Sequence, residues 1–345
     1  MESSRPANQI NWKLWAGLIL SALFLYIAFK QVDFIKTWEI ILSSDLILLL
    51  LAVLITVTQS LIRAWRWKIF LKPIKKTDFK GRFISVIIGF AANCVLPARL
   101  GEFVRANSLG QIEKISKSSA LGTLVIERLF DGFTLLSMLL IGLLYADLPD
   151  DQAYILTSLR GSAILLFCAF IVIIFFIAGF RYRADFFSKI LEKLLFMFSM
   201  KIKNKILVVF DNFAFGLSPV RGVGLFCKSI FWTLLLWTFT LFQIQIIEAS
   251  IGVKLPFIAT FIIIGILSVG VAVPSAPGFI GAYHLAAQYG FMLFGVSAEK
   301  ALSAAILLHA SFFLPSIIMG LFAFIMMQVS YGGIDTGEST KNASI

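Results

Sequence analysis

Two groups of charged residues stand inside apolar sequence, and their spacing defines the chemistry open to them. Glu127, Arg128 and Asp131 lie near the start of the apolar run 120–145. A charge at the centre of a membrane helix costs about 2.5–3.5 kcal/mol, less near an end, so such residues mark ion pairs or functional sites. Glu127 and Asp131 are four apart and share a helix face. Arg128 and Asp131 are three apart and can pair. The second group is Arg99, Glu102 and Arg105, also spaced by three, which would stack on one side of a helix entered through Pro97. Arginine holds phosphate through forked, charge-assisted bonds. Arg99 and Arg105 therefore read as anion ligands, with Glu127 and Asp131 orienting them or meeting a cationic or sugar part. The other reading of the same charges is an ion-pair network that only pins the chain.

The elements that must carry these residues are interrupted. Phe83–Leu96 is almost wholly apolar but short of the roughly 20 residues that span a bilayer. It runs into Asn93, Pro97 and Gly101, and broken backbone at membrane depth survives only against protein or a watery cavity. This is either a membrane-exit loop or the lining of a site. A second break occurs at Pro274, Pro277, Gly278 and Gly281, followed by a mildly polar helix with His284 and Gln288. The helix ends near Pro97 and near Pro277–Gly278 would point positive dipole ends into the membrane, where they favour anions. His284 and His309 read as isolated packing histidines rather than metal ligands.

Composition sets the class. Hydrophobic residues make up 59% of the chain and charged residues 14%, far from a soluble domain, so an all-α polytopic membrane protein is expected. The net charge of +11 comes from Lys and Arg clustered between apolar runs, a positive-inside pattern rather than a nucleic-acid surface. Arg63, Arg66, Lys68, Lys72, Lys75, Lys76, Lys80 and Arg82 place residues 63–82 in a cytoplasmic loop, and with it the N-terminus. Cys94, Cys168 and Cys227 show no metal or redox spacing. No cofactor motif is present, so no cofactor is expected.

In order, the chain reads as a polar tail (1–11), spans at 12–29 and 46–62, a re-entrant pair over 83–118, and spans at 120–145 and 162–180. A cytoplasmic segment (181–223) follows, with an amphipathic helix around Phe186–Phe198 that suits the headgroup layer or a calmodulin-type partner. Then come a span at 230–247, a second re-entrant pair over 257–294, a last span at 301–327 interrupted at Pro315, and a disordered tail (329–345). That makes six full spans and two re-entrant pairs. Residues 46–145 and 230–327 share one order of segments but begin on opposite sides, which describes an inverted repeat. Paired Gly/Pro-interrupted segments in such repeats point to a transport site near the midplane.

On four motifs the chain resembles the lysylphosphatidylglycerol synthase transmembrane family, the flippase-like domain also found in the multiple peptide resistance factor. These are Arg63-x-x-Arg66-Trp67, Asn93-x-x-x-Pro97-x-Arg99-x-Gly101-Glu102-x-x-Arg105, Glu127-Arg128-x-x-Asp131, and Pro274-x-x-Pro277-Gly278-x-x-Gly281. The resemblance covers roughly residues 10–328. It implies a multi-pass plasma-membrane protein that moves an anionic phospholipid or a polyprenyl-phosphate lipid between leaflets. It also implies that Asn93, Arg99, Glu102, Arg105, Glu127, Arg128 and Asp131 belong to the substrate site, with Pro277, Gly278, Gly281 and His284 from the second half. Two positions depart from the family pattern, Phe279 in place of a second glycine and His284 in place of a glutamate, which suggests a different headgroup preference. No synthase domain accompanies the membrane part, so translocation rather than catalysis is expected. A lipid-modifying transferase or an accessory subunit is the alternative. Membrane lipids are the expected partners; a second copy or a lipid-synthesis enzyme is the protein partner such a domain would have.

Overall fold

The computed structural model describes residues 12–30, 32–96, 99–145, 153–182, 195, 200–216, 223–273 and 276–331. Among them all regular structure is helical: α1 (Trp12–Phe29), α2 (Phe34–Leu42), α3 (Leu46–Leu71), α4 (Phe79–Val95), α5 (Gly101–Glu113), α6 (Lys117–Tyr145), α7 (Ala153–Tyr182), α8 (Met200–Gly216), α9 (Val223–Ser250), α10 (Phe257–Ala272), α11 (Ala282–Met292) and α12 (Ala298–Tyr331), with a 3₁₀ turn at Pro277–Phe279. Four of them, within α3, α7, α9 and α12, are long and apolar enough to cross a membrane. The protein is an all-α multi-pass membrane protein. The polar N-terminal residues 1–11, the amphipathic stretch around Phe186–Phe198 apart from Leu195, Pro97, Pro274 and the tail beyond Tyr331 lie outside the described residues.

Asp33, Asp45 and Asp78 each cap a helix through the side chain: Asp33 accepts from Ile35 N, Asp45 from Ile47 N at 2.8 Å, and Asp78 from Lys80 N. Each such cap contributes about 1 kcal/mol and fixes where the chain re-enters helix. Residues 30–45, which the sequence suggests are only a short mixed-charge loop between the first two spans, thus contain the short helix α2.

Residues of α3 pair with those of α9 in reverse order. Gln243 Nε2 donates to Ala52 O at 3.1 Å, Gln59 Nε2 to Thr240 Oγ1 at 3.1 Å, and Arg66 Nη1 to Thr233 Oγ1 at 3.1 Å. The two helices that open the repeats are therefore antiparallel. The remaining packing follows the same exchange. α4 folds back on α5 and lies against α12; α10 folds back on α11 and lies against α6. Each half also has its own core, one around Trp67, Phe70, Leu109 and Leu124, the other around Ile244, Ile263, Ala287 and Phe291. The hairpin arms α5 and α11 have 13 and 11 residues, too few to span a bilayer.

In lipid, helices associate through close packing and polar contacts because hydrocarbon outside competes equally with apolar side chains inside. Glycines supply the close approach here. A Cβ at Gly101 would collide with Gly89 O and with Asn93, and one at Gly320 with Ala91.

Two further expectations are corrected. α3 continues to Leu71, so Arg63, Arg66 and Lys68 ride on a helix and not in a loop. α12 runs through Pro315 without interruption. Proline removes the donor that Ser311 O would have met one turn back. Thr56 Oγ1 replaces it from α3, at 2.9 Å.

Candidate functional site

α6 presents Glu127, Arg128 and Asp131 over little more than one turn, and three neighbouring helices answer them. From α5, Arg105 forks onto Glu127, with Nη1–Oε1 at 2.8 Å and Nη2–Oε2 at 3.1 Å. From α3, Arg66 forks onto Asp131, with Nη2–Oδ2 at 3.0 Å, and reaches Glu127 Oε1 at 3.1 Å. Arg66, Arg105, Glu127 and Asp131 are all buried. From α9, in the other half of the molecule, Thr233 accepts from Arg66, and Trp237 Nε1 donates to Asp131 Oδ1 at 3.2 Å. The network thus spans both repeats. Trp67 floors it: its ring lies 4.0 Å from the Arg105 guanidinium, and its Nε1 donates to Thr123 Oγ1 at 2.9 Å.

Arg128 differs from the other two arginines. It touches Glu127 at 3.0 Å, Asp131 at 3.4 Å and Glu102 at 3.7 Å without forking onto any of them. Its side chain is 37% exposed. Glu102 Oε2 and Arg128 Nε have no hydrogen-bond partner among the described residues. Arg66 Nε and Arg105 Nε are unpartnered too, so what sets Arg128 apart is that its contacts are unforked and its side chain is partly exposed, while Arg66 and Arg105 fork onto buried carboxylates.

The other expected site residues lie elsewhere. The helix after the first break begins at Gly101, so Arg99 does not stack with Glu102 and Arg105. Arg99 takes a left-handed backbone (φ 56°) and turns the other way. Its Nη2 donates to Val271 O at 2.9 Å, and its guanidinium lies 5.4 Å from the Phe279 ring. Asn93 uses its side-chain oxygen on Gly101 N at 2.8 Å, capping α5. Gly278, also left-handed (φ 69°), comes so close to Cys94 O that a Cβ there would stand 3.1 Å away. The tips of the two hairpins therefore meet, with Arg99 and Gly278 at the contact.

Around Pro277, which opens the 3₁₀ turn, the polar groups form a second cluster. Gly281 (φ 91°) packs against Ser21 of α1, and its N donates to His284 Nδ1 at 3.4 Å. His309 Nε2 bonds Gly278 O at 2.8 Å, and the His284 and His309 rings lie 4.8 Å apart. The two histidines are neighbours, not the isolated residues that their sequence separation suggested. No group of three or more metal-ligating side chains occurs among the described residues.

Sequence reading missed Arg66, Thr233 and Trp237 as members of the first cluster. Arg66 carried a signal, being three residues from Arg63 in a pattern that continues the apolar periodicity of α3, but its charge placed it in a loop. Thr233 and Trp237 carry none, since both are ordinary in a membrane helix.

Residues 14–320 match the family described as Lysylphosphatidylglycerol synthase TM region. The chain belongs to this family. Glycosyltransferase AglD of Haloferax volcanii is 24% identical over 350 residues, an alignment that covers 94% of this chain and 56% of that protein. UPF0104 membrane protein MJ1595 of Methanocaldococcus jannaschii is 30% identical over 117 residues, which is 33% of this chain and 35% of that protein. The chain thus spans little more than half the length of the first relative and about a third of the second. As a Lysylphosphatidylglycerol synthase TM region, it is a membrane protein of a lipid-related family.

Proposed function

We propose that this protein translocates an anionic lipid, a phospholipid or a polyprenyl-phosphate-linked lipid, between the leaflets of the plasma membrane, with its N-terminus in the cytoplasm. The observation that supports this reading is Arg128, partly exposed and shared among three carboxylates in a network joining the two antiparallel halves. A shared, unforked arginine exchanges a carboxylate for a lipid phosphate at small cost, since one charge-assisted contact replaces another. Glu102 then meets the cationic or hydroxylated part of the headgroup. Arg66 and Arg105 stay paired, keeping Glu127 and Asp131 charged and in place while the halves move. This redistributes the roles expected from sequence, with Arg128 rather than Arg105 as the phosphate ligand.

The test is leaflet exchange in proteoliposomes carrying labelled phosphatidylglycerol, its lysyl ester or a short polyprenyl phosphate. A charge-assisted bond is worth about 1.5–3 kcal/mol, so Arg128→Ala should slow exchange of the preferred lipid about ten- to a hundredfold if the bond is made in the limiting state. Wild-type protein that exchanges none of the three, with or without a proton gradient, would overturn the proposal.

A second reading, a lipid-modifying transferase or a subunit of one, is favoured by the Haloferax relative, a glycosyltransferase by name. It is supported instead if the protein changes the mass of a lipid carrier in the presence of a sugar donor.

A further inference from the structure

Four arginines and three carboxylates gather around α6, and their pairing leaves one positive charge over. Arg105 forks onto Glu127, Arg66 forks onto Asp131, and Arg128 reaches Glu102 at 3.7 Å. Arg63 is the fourth arginine. Among the described residues no carboxylate stands within ion-pair distance of it, and its Nη1 is buried without a hydrogen-bond partner. Arg99 is a separate case, since its exposed side chain turns to Val271 O in the other half.

The neighbouring contacts place Arg63 at one end of the network. α3 and α6 run antiparallel: Trp67 meets Thr123, while Arg66 meets Glu127 and Asp131 farther along α6. Arg63 lies three residues before Arg66 and shares its face, so it stands toward Asp131. From α4, the Phe90 ring lies 4.8 Å from its guanidinium. α5 crosses α4 at the adjacent Gly89, which has no room for a Cβ against Arg105, so the first turn of α5 with Glu102 passes beside Phe90. Asp131, Arg128, Arg66 and Glu127 all lie within electrostatic reach of Arg63. Contact with a phenyl face offsets only part of what a charge costs inside a membrane helix. Asp131 and Glu127 are already forked by other arginines. The charge on Arg63 is therefore left for a ligand, and the side chain is only partly buried.

We infer that Arg63 is a second phosphate ligand of this site, and that with Arg128 it selects a singly charged phosphodiester lipid over a doubly charged phosphomonoester lipid. The inference rests on the reading that the protein handles anionic lipid, but its test reads binding and not movement. One negative charge cancels the positive charge left over. A second would face Glu102, Glu127 and Asp131 with nothing to balance it. Purified protein is melted at about pH 8, where a phosphomonoester carries close to two charges. The added lipids are dioleoyl phosphatidylglycerol, a diester; dioleoyl phosphatidic acid, a monoester; and dioleoyl phosphatidylcholine, which has no net charge. Glycerophosphoglycerol supplies the diester headgroup without chains. Wild type should be stabilised most by phosphatidylglycerol and not by glycerophosphoglycerol. Arg63→Gln, which breaks no ion pair, should lose the preference for phosphatidylglycerol over phosphatidylcholine, and Arg63→Lys should keep it. Glu102→Gln leaves two positive charges over and should reverse the order, with phosphatidic acid above phosphatidylglycerol. An undiminished preference in Arg63→Gln would overturn the assignment, as would wild type that favours phosphatidic acid. An equal, Arg63-dependent shift from glycerophosphoglycerol would also overturn it, marking a free-anion site. Should Arg63→Gln not fold, Glu102→Gln decides, and an unchanged order of the two anionic lipids refutes the selection by charge. Arg63-dependent selective binding without leaflet exchange would sink the translocation reading and leave this assignment standing; exchange that keeps its lipid preference in Arg63→Gln would do the reverse.

Discussion

Glu127 accepts from three arginines, two of them wholly buried, and this decides what its loss does. Removing one partner of a buried pair leaves an uncompensated charge and destabilises by about 3–5 kcal/mol. Glu127→Gln should therefore lower the melting temperature in detergent sharply. Arg128→Ala, at a partly exposed and unforked side chain, should cost about 1 kcal/mol or less. Equal destabilisation by the two changes would show that Arg128 is as fixed as Arg105, against its proposed role. At this scale the sequence was readable for α6, where acidic and basic residues stood out against an apolar background. It was unreadable for Arg66, because the same rule that flags a charge within a membrane helix also reads a charge near a helix end as an exit from the membrane. A buried arginine with a forked partner on a distant helix looks, in one dimension, like a positive-inside residue.

The helical hairpins depend on small residues more than on charge. Gly101→Ala would force α5 away from Gly89 O and Asn93, breaking both the close crossing and the Asn93 cap. Overpacking of this kind costs about 1–3 kcal/mol, and with the cap lost the total should be at the upper end. Cysteine crosslinking between α4 and α5 would detect the separation. Thr56→Val tests the continuity of α12 at Pro315. Without the hydroxyl, Ser311 O loses its substitute donor, so the variant should be destabilised by about 1 kcal/mol; adding Pro315→Ala should restore stability by returning the backbone bond. Helix existence was legible for the long apolar runs, which have no other option in lipid, but not for the short α2 in its stretch of mixed charge. Ends and breaks were not. Pro315 was read as an interruption because Thr56, which heals it, lies 255 positions from the Ser311 carbonyl it meets. The helix after the first break was started at Pro97 rather than Gly101, which put Arg99 on the wrong surface.

For the whole molecule, the order of helices in the chain carries a consequence for how it enters the membrane. α6 bears three charges within its apolar length, and at about 2.5–3.5 kcal/mol each they oppose its insertion by several kcal/mol when it stands alone. Arg66 and Arg105, which neutralise two of them, belong to helices made before it. A ribosome delivering this chain therefore presents α6 to a membrane in which its counter-charges already wait. Expressed as an isolated segment between glycosylation reporters, α6 should insert poorly, and it should insert well when residues 46–113 precede it. Reversing the order of synthesis by circular permutation, so that α6 emerges before α3 and α5, should strand it outside the bilayer even though every contact of the finished protein would still be available. The ion pairs would then constrain biogenesis as well as architecture: in this protein, gene order is also assembly order.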